Sequence, residues 1–259
     1  MTATKEEFHA LSARIDHLFD LGRRDEAEPL LRHALEISAL DEAYSLFFQA
    51  EAAWYLERNA KKQRELVMRA YGINRGDPFL VRSAGVWFLV NNAERKARKL
   101  FDESLSLSPT DYDAARNKGL CYSNLGSEKM AMVWYGKAIA MNPSDSDAMR
   151  QMGVSLSKLG KDREAIEWYR KCLAVNAEDY DALRQLGISL AMLGNYDVSM
   201  QYLNLALAIN PGDRETRINI RLVTKKMNRE GETAVDRLLA HIGRKLVSWW
   251  RLVLNSIRH

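Results

Sequence analysis

Four arginines in the middle of the chain recur at a constant spacing of 34 residues: Arg82, Arg116, Arg150 and Arg184. A guanidinium group binds a carboxylate through two parallel hydrogen bonds, so a row of arginines suits the recognition of acidic groups. An aliphatic residue follows each arginine four positions later, and these residues are Val86, Leu120, Val154 and Ile188. Because four residues make about one helical turn, the charged and apolar rows lie side by side on a helix. This pattern predicts binding.

Residue patterns that would support catalysis are missing from the sequence. The five histidines show no metal-ligand spacing, and the two cysteines, Cys121 and Cys172, are far apart in the chain. No glycine-rich phosphate loop is present, because glycines recur singly at the 34-residue spacing. We therefore predict that the protein is not an enzyme, with no cofactor and no metal ion.

The same spacing governs the small residues, which indicates an internal repeat. Gly85, Gly119, Gly153 and Gly187 are each 34 residues apart. A glycine inside a helix costs about 1 kcal/mol relative to alanine, so four of them in register predict a close contact between helices. Within each repeat the apolar residues form two blocks with helical spacing, which predicts a hairpin of two amphipathic helices. Such hairpins bury their apolar faces only by stacking on one another.

These residues resemble the tetratricopeptide repeat family, with small residues at positions 8, 20 and 27 of the four clear repeats. Position 24 is aromatic in three of them and Leu203 in the last, and position 32 is proline in three and Ala177 in the other. The resemblance implies an all-α, right-handed superhelical solenoid of about six helix-turn-helix repeats. The clear repeats span 78–111, 112–145, 146–179 and 180–213, and two degenerate ones span 8–41 and 44–77. A closing helix is expected over 214–228. The predicted domains are therefore a repeat domain, 1–229, and a basic amphipathic helix, 230–259.

The resemblance also implies that the first helix of each repeat lines a concave groove. Position 5 then places the four arginines in the groove, and position 9 places the aliphatic residues there. We expect the groove to hold an acidic and apolar segment of another protein. In the alternative interpretation, Asp113 and Asp181 simply pair with Arg116 and Arg184 on a solvated face. Nucleic acid is an unlikely ligand, because the arginine section lacks stacking aromatic residues on the groove side.

One known mode of peptide binding in this family fits only in part. Some members hold the carboxylate tail of heat-shock chaperones with lysine at position 5, asparagine at position 9 and asparagine at position 6 of the next repeat. Asn117 matches the last position and Arg82 is similar in charge to the first, but Val86 replaces the position-9 asparagine. A chaperone-tail adaptor is therefore not expected, although Asn117 stays a candidate groove residue.

The two ends of the chain carry opposite charge. Residues 1–41 contain five Lys/Arg and nine Asp/Glu, a net of −4, whereas residues 214–259 contain eleven and four, a net of +7. At the acidic end, Asp16, Asp20 and Tyr55 fall at groove positions. They predict either a solvated face or a site for a basic ligand, including the basic tail of the protein itself.

The basic C-terminal segment has three interpretations from sequence. It combines cations with an apolar stripe, and the candidate residues are Arg244, Lys245, Trp249, Trp250 and Arg251. Such a helix is typical of packing on its own repeats, of self-association or docking to a partner, and of binding to a membrane surface.

The prediction from sequence is a scaffold or adaptor that binds a segment of a partner protein in its groove. A secretion or assembly chaperone for a client protein, and a peripheral membrane organiser anchored by the C-terminal helix, are the alternatives. We find no signal peptide and no apolar run long enough to span a membrane, so a cytoplasmic location is expected, with the inner face of a membrane as the alternative.

Overall fold

The structure is a computed structural model, and it describes residues 3–231 of the chain. All regular elements in this range are α-helices, which confirms the all-α fold class. They are α1 Lys5–Asp20, α2 Arg24–Ile37, α3 Glu42–Tyr55, α4 Ala60–Ile73, α5 Pro78–Val90, α6 Glu94–Leu107, α7 Tyr112–Asn124, α8 Glu128–Met141, α9 Ser146–Lys158, α10 Asp162–Val175, α11 Tyr180–Met192, α12 Tyr196–Ile209 and α13 Arg214–Gly231.

The helices belong to two compact units, Met1–Leu159 and Gly160–His259. In the first unit α1/α2, α3/α4, α5/α6 and α7/α8 form consecutive hairpins, and α9 packs on α8. In the second unit α11/α12 form a hairpin, with α10 packed on α11 and α13 packed on α12. The helices α5, α7, α9 and α11 begin at Pro78, Tyr112, Ser146 and Tyr180, each 34 residues after the previous one.

The glycines at position 8 lie where the two helices of a hairpin approach most closely. A Cβ atom added to Gly119 would lie 2.6 Å from the ring of Tyr135, and one added to Gly85 would lie 2.6 Å from the ring of Phe101. In the second unit a Cβ on Gly187 would lie 2.8 Å from Cγ of Leu203. These distances leave no room for a side chain, which explains why glycine recurs there despite its cost in a helix.

The turn inside each hairpin needs a residue with positive φ just after the first helix. Gly126, Gly160 and Gly194 fill this position with φ values of 76°, 73° and 81°. One and two periods earlier the same position holds Asn92 (φ 55°) and Arg58 (φ 53°). Asparagine tolerates the left-handed conformation, whereas arginine adopts it only at a cost. The second repeat therefore departs from the others at its turn as well as in its core.

Two helices have features that need comment. The helix α2 begins at Arg24 and includes Pro29. The proline is exposed and lacks only one backbone hydrogen bond, while Ala27 and Leu31 on the same helix are fully buried. The closing helix was expected over 214–228, and α13 covers this range and continues through Gly231.

Candidate functional site

The groove face of the first unit comprises positions 5, 6 and 9 of its first helices α5, α7 and α9, and α11 carries the same positions in the second unit. Its arginines are mostly buried and already paired with carboxylates. Arg116, 21% exposed, contacts Asp113 at 2.6 Å and donates to both oxygens of Asp145 at 2.9 and 3.0 Å. Arg82 contacts Asp111 at 2.7 Å and Asp113 at 3.7 Å. The guanidinium charges are therefore neutralised within the protein.

The arginines at positions 5 of α9 and α11 show the same arrangement within their own units. Arg150 contacts Asp147 at 2.6 Å in the first unit. In the second unit Arg184 contacts Asp181 at 2.5 Å, Glu215 at 2.9 Å and Asp213 at 3.1 Å. Aspartates three residues before an arginine thus pair with it, as the alternative interpretation of the sequence anticipated.

Further aspartate partners, which the sequence-based argument missed, cap the start of the next first helix. Asp111 accepts a hydrogen bond from the Ala114 amide at 3.0 Å, and Asp145 accepts one from the Ala148 amide at 3.0 Å. Arg82 and Arg116 therefore tie their helices to the beginning of the following repeat within the first unit, and Arg184 does the same through Asp213 within the second. A signal was available, because aspartate occurs 29 residues after each of the four arginines, at Asp111, Asp145, Asp179 and Asp213.

The pairing sets the charge state of the face. Although burial raises the pKa of Asp147, the guanidinium groups of Arg116 and Arg150 outweigh it and lower that pKa below its usual value. The carboxylate is therefore ionised at neutral pH. On the groove face of the first unit each arginine contacts at least one aspartate, so this face carries charges of both signs and little net charge.

Beside the paired charges lies a row of side chains without polar partners. Val86, Leu120 and Val154 are half-buried on this face in the first unit, and Ile188 is half-buried in the second. Position 6 carries amides, and Asn117, Gln151 and Gln185 are also half-buried. None of these three amides makes a side-chain hydrogen bond to another residue of the described range. Sequence analysis singled out Asn117 but overlooked that Gln151 and Gln185 continue its row.

A different cluster occupies the corresponding face of the first repeats. The carboxyl groups of Asp16 in α1 and Glu51 in α3 are neighbours, and each shifts the pKa of the other. The Tyr55 hydroxyl donates to Oδ1 of Asp16 at 2.9 Å, and the Tyr55 ring stacks on Phe19 with centroids 4.1 Å apart. Burial, followed by the negative charge of Asp16, raises the pKa of Glu51 well above its usual value. Glu51 is thus the carboxyl group that keeps its proton to higher pH.

The aromatic residues of the second helices are packed against lysines as well as against the core. Trp134 contacts the cluster around Ala115 and Ala138, and the ammonium groups of Lys118 and Lys137 lie 3.6 and 4.0 Å from its ring centroid. In the second unit Lys171 lies 4.0 Å from the ring centroid of Trp168. Both indoles are half-buried, which fits a role in packing.

The candidate residues of the C-terminal segment, Arg244, Lys245, Trp249, Trp250 and Arg251, lie outside the described residues. Across residues 3–231, no helix combines the length and apolar character needed to cross a bilayer. The same part of the chain contains no group of three or more His, Cys, Asp or Glu side chains suited to a metal ion. Cys121 and Cys172 are buried and are not joined in a disulfide.

Three protein-family models match stretches of the chain, and each model describes a tetratricopeptide repeat. The matched residues are 150–214, 113–145 and 18–39. The consecutive helical hairpins agree with these matches, so the chain contains tetratricopeptide repeats. No curated protein sequence matches the chain.

Solved structures of the same class share the fold at low identity. TTC0263, a thermophilic TPR protein of Thermus thermophilus, has a TM-score of 0.62 at 16% identity, covering 70% of this chain and 98% of its own. The Cut9–Hcn1 hetero-tetramer of APC/C has a TM-score of 0.68 at 14% identity, and the match covers 84% of this chain and 46% of that one. YrrB, described as a TPR protein with an unusual peptide-binding site, has a TM-score of 0.50 at 19% identity. The match covers 74% of this chain and 97% of YrrB. These likenesses show a tetratricopeptide repeat solenoid, a fold that serves protein–protein interaction.

Proposed function

We propose that the protein is a scaffold that binds an extended or short helical segment of another protein on its groove face. The observation that carries this proposal is the half-buried row of Val86, Leu120 and Val154, which runs beside the unpaired amides of Asn117 and Gln151. Aliphatic side chains left partly open supply hydrophobic contact, and free amides supply hydrogen bonds to a peptide backbone.

The paired arginines favour apolar recognition over charge recognition. A ligand carboxylate that bound Arg116 would have to displace Asp113 or Asp145, which contact it at 2.6 and 2.9 Å. Leaving a partly buried carboxylate without its partner costs several kcal/mol. We therefore assign affinity mainly to the aliphatic and amide rows, and the arginines to holding successive repeats together. The preference for an acidic ligand stays a prediction, to be tested with charge variants of the bound peptide.

A peptide selected from a random display library on the full chain provides the probe for this proposal. Val154→Asn removes one apolar contact from the groove face, and Val133→Asn, at a side chain 50% exposed on the second helix α8, is its matched control. Losing the burial of a valine costs roughly 1.5 kcal/mol, so Val154→Asn should weaken the peptide Kd about tenfold while Val133→Asn leaves it unchanged. Failure to select any peptide, or equal losses in both variants, would contradict the proposal.

The chaperone alternative uses the same face and differs only in the ligand, which would be a client segment shielded before assembly.

The membrane alternative depends on the C-terminal segment and is separate from the groove face. Flotation of the full chain with anionic vesicles, compared with a chain ending at Gly231, tests it. Flotation that is lost on truncation supports a peripheral membrane role, and no flotation contradicts it.

A further inference from the structure

The last described helix, α13, has buried residues at some positions of the repeat, as the earlier first helices do, but cationic residues at others. Its position 3 and position 10 residues, Thr216 and Val223, are buried, and Val223 packs with Leu203 of α12. The departing side consists of Arg217, Arg221, Lys225 and Arg229, spaced four residues apart and all exposed. We call these four residues the basic face of α13.

At the corresponding positions the earlier first helices bury small or apolar side chains. Position 4 holds Val81, Ala115, Met149 and Leu183, which are at most 7% exposed, whereas α13 has Arg217. At position 8 α13 has Arg221, where α5, α7, α9 and α11 have glycine. A Cβ alone at Gly119 would lie 2.6 Å from the packed ring of Tyr135, so an arginine at this position excludes a second helix at the usual distance.

The basic face therefore does not serve as the inner side of another hairpin. Covering it with an apolar helix would bury several cations without partners, which is strongly unfavourable. Of the four, Arg217 donates to the carbonyl oxygen of Pro211, and the others make no salt bridge to a carboxylate of the described residues. This contrasts with the groove arginines, which are all neutralised, and it fits a surface that meets an acidic partner.

The chain itself carries an acidic surface in its first hairpin. Residues 1–41 have a net charge of −4, and residues 214–231 contain six Lys/Arg and two Asp/Glu, a net of +4. In α1 and α2 the carboxylates of Glu6, Asp25 and Glu36 are exposed and make no salt bridge within the described residues. The first hairpin and α13 are thus opposite in net charge, and each has exposed charged groups that make no salt bridge to another described residue.

We propose that the basic face of α13 binds the acidic α1/α2 hairpin of a second copy, so that the protein associates head to tail. The contact joins different surfaces of the two copies, so each added copy brings another basic face and another acidic hairpin. Association therefore extends beyond a dimer as the protein concentration rises, until the row of copies closes into a ring or continues as a filament. Because exposed charges drive the contact, salt weakens it.

Sedimentation velocity of the full chain, at several concentrations in low and high salt, tests the proposal with charge-reversed variants. The tail variant is Arg221→Glu/Lys225→Glu/Arg229→Glu, and the head variant is Glu6→Lys/Asp25→Lys/Glu36→Lys. A control with the same charge change as the tail variant is Lys99→Glu/Lys129→Glu/Arg163→Glu, at exposed positions of other helices. Circular dichroism of each variant confirms that the helices are retained.

We expect the wild type and the control to self-associate at low salt. The tail and head variants should each lose at least about tenfold in association constant, because attraction becomes repulsion at several charge pairs. A mixture of the two variants should associate again, since the reversed head of one complements the reversed tail of the other. A wild type that is monomeric at low salt, or a mixture that stays monomeric, overturns the proposal. Binding of anionic vesicles or nucleic acid by the basic face of a monomeric wild type would likewise overturn it and identify another occupant.

Discussion

Two glycines of the same repeat should respond in opposite directions to the same substitution, because only one of them lies at a helix contact. Gly119 is on α7 and faces the fully buried ring of Tyr135, with a virtual Cβ 2.6 Å from the nearest ring carbon and 3.2 Å from the carbonyl oxygen of Ala131. Gly136 is on α8, and its virtual Cβ meets only Cε of Met152, at 3.9 Å.

The magnitude follows from two opposing contributions. Alanine is favoured over glycine inside a helix by about 1 kcal/mol, and this gain applies at both positions. At Gly119 it is opposed by overpacking, which costs typically 1–3 kcal/mol because a buried ring has no free volume to move into. We expect Gly119→Ala to lower the free energy of unfolding by up to about 2 kcal/mol, and Gly136→Ala to raise it by up to about 1 kcal/mol.

Urea denaturation followed by circular dichroism measures both effects on the full chain. Cooperativity in repeat proteins extends mainly to neighbouring repeats, so a global fit is valid only where tryptophan fluorescence and circular dichroism give coincident transitions. If Gly119→Ala stabilises the protein as much as Gly136→Ala does, the helices are not in close contact at position 8. Close helix packing would then be refuted as the cause of the glycine period.

Three further predictions concern single groups. Because the folded-state pKa of Glu51 is raised, its contribution to stability is greatest at acidic pH and is lost as the pH rises through that pKa. Glu51→Gln should therefore stabilise the protein at pH 8 and flatten the pH dependence of its thermal unfolding. An unchanged pH dependence would contradict the raised pKa of Glu51. Asp145→Ala removes the cap of α9 and a partner of Arg116, so it should cost roughly 2–4 kcal/mol of unfolding free energy; a loss below about 0.5 kcal/mol in urea denaturation would show that the pair is unimportant. Burial raises the pKa of Cys121 to about 12, so iodoacetamide should modify it only in denaturant, and modification of the native protein at neutral pH, detected by mass spectrometry, would show that the core opens.

Much of the fold could be predicted from the sequence because a repeat displays its packing rules several times. A single glycine in a helix is ambiguous, but glycine recurring at Gly85, Gly119 and Gly187 points to a shared contact, and the structure has that contact at each of them. The first two repeats were harder to interpret. Their position-8 glycines are replaced by Ile15 and Glu51, the second repeat has Arg58 in place of the turn glycine, and Pro29 lies inside α2 of the first.

The candidate site was less predictable, since its chemistry depends on partners in neighbouring repeats. The arginine row alone suggested free cations, whereas Asp111 and Asp145, which neutralise Arg82 and Arg116, each lie 29 residues later in the chain. The 34-residue spacing of the aspartates was visible in the sequence. To infer that they pair with the arginines, however, one must know that the start of the first helix in one repeat lies beside the middle of the first helix in the preceding repeat. The contact of Asp16 with Glu51 was not accessible from sequence, because it joins two degenerate repeats.

The most direct test of the proposed groove is to ask which face of the protein touches a bound peptide. A photo-reactive amino acid is placed at Leu120 on the groove face or, for comparison, at Val133 on the second helix α8, and the full chain is irradiated with the selected peptide. We predict cross-linking from position 120 and not from position 133, with competition by unlabelled peptide. Cross-linking from position 133, with none from position 120, would contradict the assignment of the groove face as the binding site.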